Sequence, residues 1–185
     1  MTRDILFALW FFIPAGIANS TPIVVAHIPG LNTLNAPMDF GKKFHKKRIF
    51  GEHKTWRGFI AGMVMAVLVI WLQVGLFDHY AWIRHISQPV FYSGGSIVAL
   101  GLLLGFGALI GDATESFLKR QYNIDSGQRW FPFDQLDYVI GGLLFATAYV
   151  RLPVQDYGWI IIIWFCMHLI FSYIGYILKL KDKPL

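Results

Sequence analysis

Apolar residues run through this chain in long blocks with short polar stretches between them. Four blocks, Ile5–Ile28, Phe59–Phe77, Val90–Ile110 and Gly158–Leu178, are long enough to cross a bilayer as helices rising about 1.5 Å per residue. A fifth, Tyr138–Val150, is short; it spans if it starts near Leu136 and runs on through Leu152 to Val154. The pattern predicts an all-α integral membrane protein with about five transmembrane helices. Residues 1–185 then form one polytopic domain, with spans near 5–28, 59–77, 90–110, 136–154 and 158–178. Composition agrees, at 56% hydrophobic and 15% charged residues with mean hydropathy +0.51, the range of polytopic membrane proteins. The first block is too long for a cleaved signal peptide and lacks its basic start, so it is expected to remain as an anchor.

The cations fix the expected orientation. Lys42, Lys43, Lys46, Lys47, Arg48, Lys54 and Arg57 lie between the first two blocks; Lys119, Arg120 and Arg129 follow the third; Lys179, Lys181 and Lys183 form the tail. These are 13 of the 16 Lys and Arg, and only Arg3, Arg84 and Arg151 fall on the other side. The positive-inside rule predicts an external N-terminus and a cytoplasmic C-terminus, in a multi-pass protein of the plasma or inner membrane. The net charge of +5 reflects this bias and does not call for nucleic acid. Lys42–Arg48 reads first as a patch for anionic headgroups. Cys166, alone, forms no intrachain disulfide.

Glycines mark the inner helices. Gly94, Gly95, Gly101, Gly105, Gly107 and Gly111 crowd the third block, and Gly141-Gly142 open the fourth. Spacing of four between small residues lets helices approach closely in lipid, so these two spans are expected at the centre. Of the tryptophans, Trp10, Trp71, Trp82, Trp159 and Trp164 are expected mostly at the interfacial belt or against lipid.

Against this background the polar residues from Gly111 to Asp137 stand out, because ionisable groups at a membrane boundary are costly unless they serve chemistry. If the third helix continues past Gly111, Asp112, Glu115, Ser116 and Lys119 share one face. Asp134 and Asp137 lie three apart at the start of the fourth span, after Pro132, which suits a helix N-terminus. Carboxylates from two adjoining helix ends form a hard oxygen site of the kind Mg²⁺ favours and bridges to substrate phosphates. Asp112, Asp134 and Asp137 are the expected metal ligands and, with Lys119, the expected catalytic set. Glu115 is explained equally well by an i, i+4 pair with Lys119.

A second motif, GEHKTWRG from Gly51 to Gly58, places Lys54, Thr55 and Arg57 just before the second span. Lysine offers a point charge and arginine a planar fork to phosphate oxygens; Arg120 joins them. This is not a Walker A loop, because position 53 is His and no strand precedes it. Asn19, Thr21 and Pro22 are expected to interrupt the first span, with Asn19 and Thr21 as polar contacts. His168 is the ionisable residue deepest in the last span and reads as a neutral imidazole bonded to a neighbouring helix. A transporter or channel for an anionic solute is the competing class; it predicts charges near mid-bilayer and mirrored halves, neither of which the sequence has.

The stretch Ser116-Phe117-Leu118-Lys119-Arg120, followed by Asp134-Gln135-Leu136-Asp137, resembles the S-x-x-K-R … D-x-x-D signature of integral-membrane CTP-dependent cytidylyltransferases. Within these, GEHKTWRG, GDATESFLKR, PFDQLD and Asn19-Ser20-Thr21-Pro22 are similar to the motifs of the compact five-span CDP-archaeol synthases, and the likeness covers essentially the whole chain. It departs from the larger phosphatidate enzymes, whose His-Gly-Gly is absent and whose Arg is replaced by Gln135. The resemblance implies CTP and a lipid phosphate as substrates, a CDP-lipid and pyrophosphate as products, and Mg²⁺ as cofactor. Lys54, Arg57, Lys119 and Arg120 would then face the phosphates, with Asn19, Thr21 and Thr55 as polar contacts. Whether the lipid carries ether-linked isoprenoid or ester-linked acyl chains, and whether the chain forms homo-oligomers, stays open.

Overall fold

The computed structural model describes residues 1–28, 35–87 and 96–179. Among them, helices α1 (Thr2–Ala26), α2 (Trp56–His79), α3 (Ala81–Ile86), α4 (Ser96–Gln121), α5 (Phe133–Ala146) and α6 (Val154–Ile177) carry the fold, with a two-residue hairpin, β1 (Lys43–Phe44) and β2 (Lys47–Arg48), between α1 and α2. Four of these helices, α1, α2, α4 and α6, are long and apolar enough to cross a membrane.

The fourth expected span needs correction. α5 has 14 residues, about 21 Å of helix against a hydrocarbon core of about 30 Å. Hydropathy predicts helix over 136–154, yet residues 147–153 are not helical. The Thr147 hydroxyl turns back to the Leu143 carbonyl at 2.7 Å and meets the Tyr157 hydroxyl at 3.0 Å. Just past this segment, Asp156 in the first turn of α6 lies near Asp4 and Arg3 at the start of α1.

α1 also differs from expectation. Pro14 and Pro22 lie inside a continuous helix, and Asn19-Ser20-Thr21-Pro22 does not interrupt it. The hydroxyls of Ser20 and Thr21 donate to the carbonyls of Gly16 (3.0 Å) and Ile17 (2.7 Å). Pro22 instead provides a flat surface for α2, where a Cβ on Gly58 would stand 2.8 Å from the proline ring.

Small residues set the packing along two different stripes. Gly101 and Gly105 face Ile70 and Ala66 of α2, whereas Gly107 and Gly111 face the backbone of α5 at Gly141 and Asp137. A Cβ at Gly111 would overlap the Asp137 carbonyl oxygen, and one at Gly141 would overlap that of Gly107. The two helices therefore meet backbone to backbone, as dispersion-driven association in lipid requires. Gly94 and Gly95, with the start of the third expected span at Val90, lie outside the described residues.

The apolar core fills the space between α1, α4, α5 and α6 with Phe7, Phe11, Phe12, Leu100, Leu104, Val139 and Ile160. Trp164 belongs to it rather than to the belt. It is 5% exposed, its indole donates to the Ala8 carbonyl at 2.9 Å, and its own carbonyl accepts the Tyr138 hydroxyl at 2.8 Å. Trp71 and Trp82 are exposed, as a lipid-facing position demands. His168 is half-buried on α6, its ring 5.7 Å from that of Tyr138.

Candidate active site

Four segments meet at one end of this bundle: the end of α1, the loop entering α2, the last turns of α4 and the first turn of α5. α4 runs unbroken to Gln121, well past the apolar block, because Gly111 to Gln121 contains no proline and the turn residues begin only at Asn123. Its inward face carries Asp112, Glu115, Ser116 and Lys119, of which the last three are buried, while Thr114 and Leu118 face outward.

Two lysines close on these acids. Lys54 Nζ lies 2.6 Å from Asp112 Oδ2, linking the α2 loop to α4. Burial alone would lower the Lys54 pKa, but Asp112, with Asp137 and Glu115 nearby, outweighs it and holds the ammonium above its usual value. Lys119 Nζ lies 3.1 Å from Glu115, contacts Asp134 closely and donates to the Gln128 carbonyl at 2.9 Å. The second oxygen of Asp134 accepts the Trp130 amide at 2.8 Å, so this acid both anchors the loop and starts α5. Asp137 accepts its neighbour's amide, Tyr138 N–H, at 2.6 Å and faces the charges of Asp112, Glu115 and Lys54.

The donor chemistry fits Mg²⁺: four carboxylates from two helices, with Glu115 Oε1 buried and lacking a hydrogen bond despite its ion pair. The arrangement described is that of acids closed onto two ammonium groups, and among the described residues no three acids converge on a common point.

Beside this cluster, a cavity of about 410 Å³ is lined by Lys47, Arg48, His53, Arg120, Asn123 and Asp125 among others. Arg120 follows Lys119 directly and carries its Nε buried, so cavity and acids share one helix end. The opposite wall belongs to the loop before α2. Lys47 Nζ reaches the Gln121 carbonyl at 2.6 Å, and Phe44 packs on Phe117 with ring centroids 5.8 Å apart.

The other expected contacts fall on the neighbouring segments. Thr55 caps α2, its hydroxyl oxygen accepting the Gly58 amide at 3.2 Å. Arg57 is buried in the first turn of α2, Thr21 is buried on α1 and Asn19 half-buried there. Spacing alone explains Glu115 as a helix pair; the pair exists, but it stands inside the cluster. Asp39 carries no signal in the sequence, being an isolated acid in a basic loop. It is buried and accepts from Gly41, Phe50 and Gly51 amides and from Arg48.

Because Lys119 pairs with both buried Glu115 and Asp134, Lys119→Ala is expected to weaken folding. Breaking such a pair leaves uncompensated charge costing about 3–5 kcal/mol. Thermal unfolding in detergent checks this, and adding Glu115→Gln should recover part of the loss; no change in midpoint would refute the buried pairing.

An α-helical polytopic membrane protein with an acid-and-lysine cluster at one bundle end is the class this fold and site define. The same fold occurs in a solved structure described as an intramembrane enzyme for archaeal membrane lipids biosynthesis, with TM-score 0.72 and 25% identity over 91% of this chain and 94% of that one. The family profile described as CarS-like CDP-archaeol synthase matches residues 1–185. The CDP-archaeol synthase of Pyrococcus abyssi is 32% identical over 98% of this chain and 99% of its own length; that of Archaeoglobus fulgidus is 34% identical over 97% of each. The chain belongs to the CDP-archaeol synthase family.

Proposed function

We propose that this protein transfers a cytidylyl group from CTP to a membrane lipid phosphate, forming a CDP-lipid and pyrophosphate for phospholipid biosynthesis. The observation that carries this reading is the gathering of Asp112, Glu115, Asp134 and Asp137 with Lys54 and Lys119 where α4 and α5 meet. Family membership points the same way, and favours an archaetidic acid-like 2,3-di-O-geranylgeranylglyceryl phosphate over phosphatidate as acceptor. The positive-inside bias puts the cluster on the cytoplasmic side of the cell membrane, where CTP is available.

The chemistry follows from charge. A lipid phosphate oxygen forms its bond to the α-phosphorus of CTP as the bond to the bridging pyrophosphate oxygen breaks, in line. Both reactants are polyanions, so their approach has to be compensated by fixed positive groups. Lys54 and Lys119 face the acids and, with Arg57 and Arg120, lie within reach of incoming phosphates; phosphate oxygens then compete with the carboxylates for the ammonium groups. Asp112, Asp134 and Asp137 would be the residues to hold Mg²⁺, which would supply further neutralisation of phosphate charge. The lipid phosphate is already ionised near neutral pH, so the chain needs no general base. The cavity beside Arg120 has room for the polar part of a nucleotide.

The test is incorporation of radiolabelled CTP into lipid by purified protein, with and without Mg²⁺, offering the ether-isoprenoid and ester-acyl lipid phosphates side by side. Label in the ether-linked product, and its loss on chelation, are expected. Absence of lipid-linked label with both acceptors would overturn the reading and return the transporter alternative to first place.

A further inference from the structure

The loop before α2 is held together by one buried acid far from the carboxylate cluster in sequence. The Asp39 side chain is fully buried, at 0% exposure. Oδ1 accepts Gly41 N–H at 2.9 Å and Arg48 Nη2 at 2.9 Å; Oδ2 accepts Arg48 Nε at 3.2 Å and the amides of Phe50 and Gly51, each at 3.1 Å. Five donors thus converge on two acceptor oxygens. An asparagine would turn an NH₂ toward at least two of those donors whichever way its amide faced, so the site is built for a carboxylate.

What this acid organises lies on both sides of it. The preceding residue, Met38, donates its amide to the Lys54 carbonyl at 2.7 Å, and Trp56 N–H reaches the Ala36 carbonyl at 3.0 Å. Lys54 is thereby held at the distance where its ammonium meets Asp112. On the other side, Arg48 and Gly51, both bound by Asp39, line the basic cavity opposite Arg120. Gly51 has φ +103° and Gly41 φ +76°, so the loop's two turns need glycine and leave the backbone little rigidity of its own. The carboxylate supplies that rigidity.

We propose that Asp39 is a positioning residue for the nucleotide, fixing the cavity wall and the reach of Lys54 without touching substrate. This rests on the CTP reading above. Asp39→Asn is expected to raise KM for CTP about tenfold while kcat and KM for the lipid phosphate stay within about threefold, a loss of uniform binding rather than of the chemical step. Asp39→Glu, which keeps charge and both acceptors, should recover most of the CTP affinity. Arg48→Gln, a milder change at a part-exposed partner, should give an intermediate rise and keeps the test open should Asp39→Asn misfold.

Limited trypsin digestion of the detergent-solubilised protein gives a readout apart from turnover. Cleavage after Lys42 to Arg48 should accelerate in Asp39→Asn, with CTP protecting the wild type more than the variant. Unchanged CTP KM with wild-type cleavage in Asp39→Asn, or an equal loss across kcat and both KM values, overturns the positioning role. If wild type forms no CDP-lipid, the CTP reading fails instead. The nucleotide-free digestion still judges the loop, and wild-type cleavage in the variant would then sink its ordering by Asp39 as well.

Discussion

Asp134→Asn and Asp137→Asn are each expected to lower CDP-lipid formation by about 10²–10³-fold or more, the loss that follows removal of a preorganised electrostatic group. Each variant keeps the backbone hydrogen bond its side chain accepts, and in the first Lys119 keeps Glu115 as partner. In the first variant the new carboxamide keeps a carbonyl oxygen for the Trp130 amide that Asp134 Oδ2 accepts at 2.8 Å. In the second it keeps one for the Tyr138 amide now bound by Asp137. What each loses is charge, beside Lys119 in one case and opposite Asp112 and Lys54 in the other. Initial rates at saturating CTP, with unfolding midpoints in detergent, check the pair. A variant retaining wild-type turnover would take that side chain out of the reaction.

The second large effect is expected at the glycines. Gly111→Ala and Gly141→Ala each drive a methyl group into a carbonyl oxygen of the facing helix. Neither partner is a flexible side chain, so α4 and α5 must part. Overpacking of this kind costs about 1–3 kcal/mol, more where only backbone can give way, and it separates Asp112 from Asp137, so yield of monodisperse protein and turnover should fall together. Gly75→Ala and Gly158→Ala serve as controls, since nothing lies within 4 Å of a Cβ at either position. Helix propensity favours those changes by about 1 kcal/mol. Normal yield from Gly111→Ala would mean the two backbones are not in contact.

The features behind these expectations differ in how visible they are in the sequence. The long helices are legible because hydropathy over twenty residues averages out local detail, and glycines four apart foretell a close helix pair. They do not say which glycines face which partner: Gly101 and Gly105 serve α2, Gly107 and Gly111 serve α5. α5 is shorter than hydropathy suggests: the chain leaves the helix at Thr147, with Arg151 and Pro153 just beyond, and Thr147 and Tyr157 hydrogen-bond there. Pro22 misleads for the opposite reason. A proline seen alone reads as a break, whereas here the helix carries it through and packs Gly58 on its ring.

The acids at the ends of α4 and α5 are legible from spacing at a membrane boundary, including their common face. Their pairing is not. Lys54 and Asp112 are 58 positions apart, and only the loop's path brings them together. Gln128 contributes a backbone carbonyl, which leaves no trace in side-chain identity. Asp39 sits among lysines where an acid looks like charge balance, and its burial depends on turns in which Phe40 as well as Gly41 and Gly51 takes a positive φ.

The seam between α4 and α5 has one more consequence. At Gly107, Gly111 and Gly141 bare main chain meets bare main chain, leaving no side chain able to swing aside, so no greasy tail can thread between the two helices there. A lipid whose headgroup reaches the aspartates must travel along the outer flanks of the pair, and the membrane face it uses is decided by the helices around that spine.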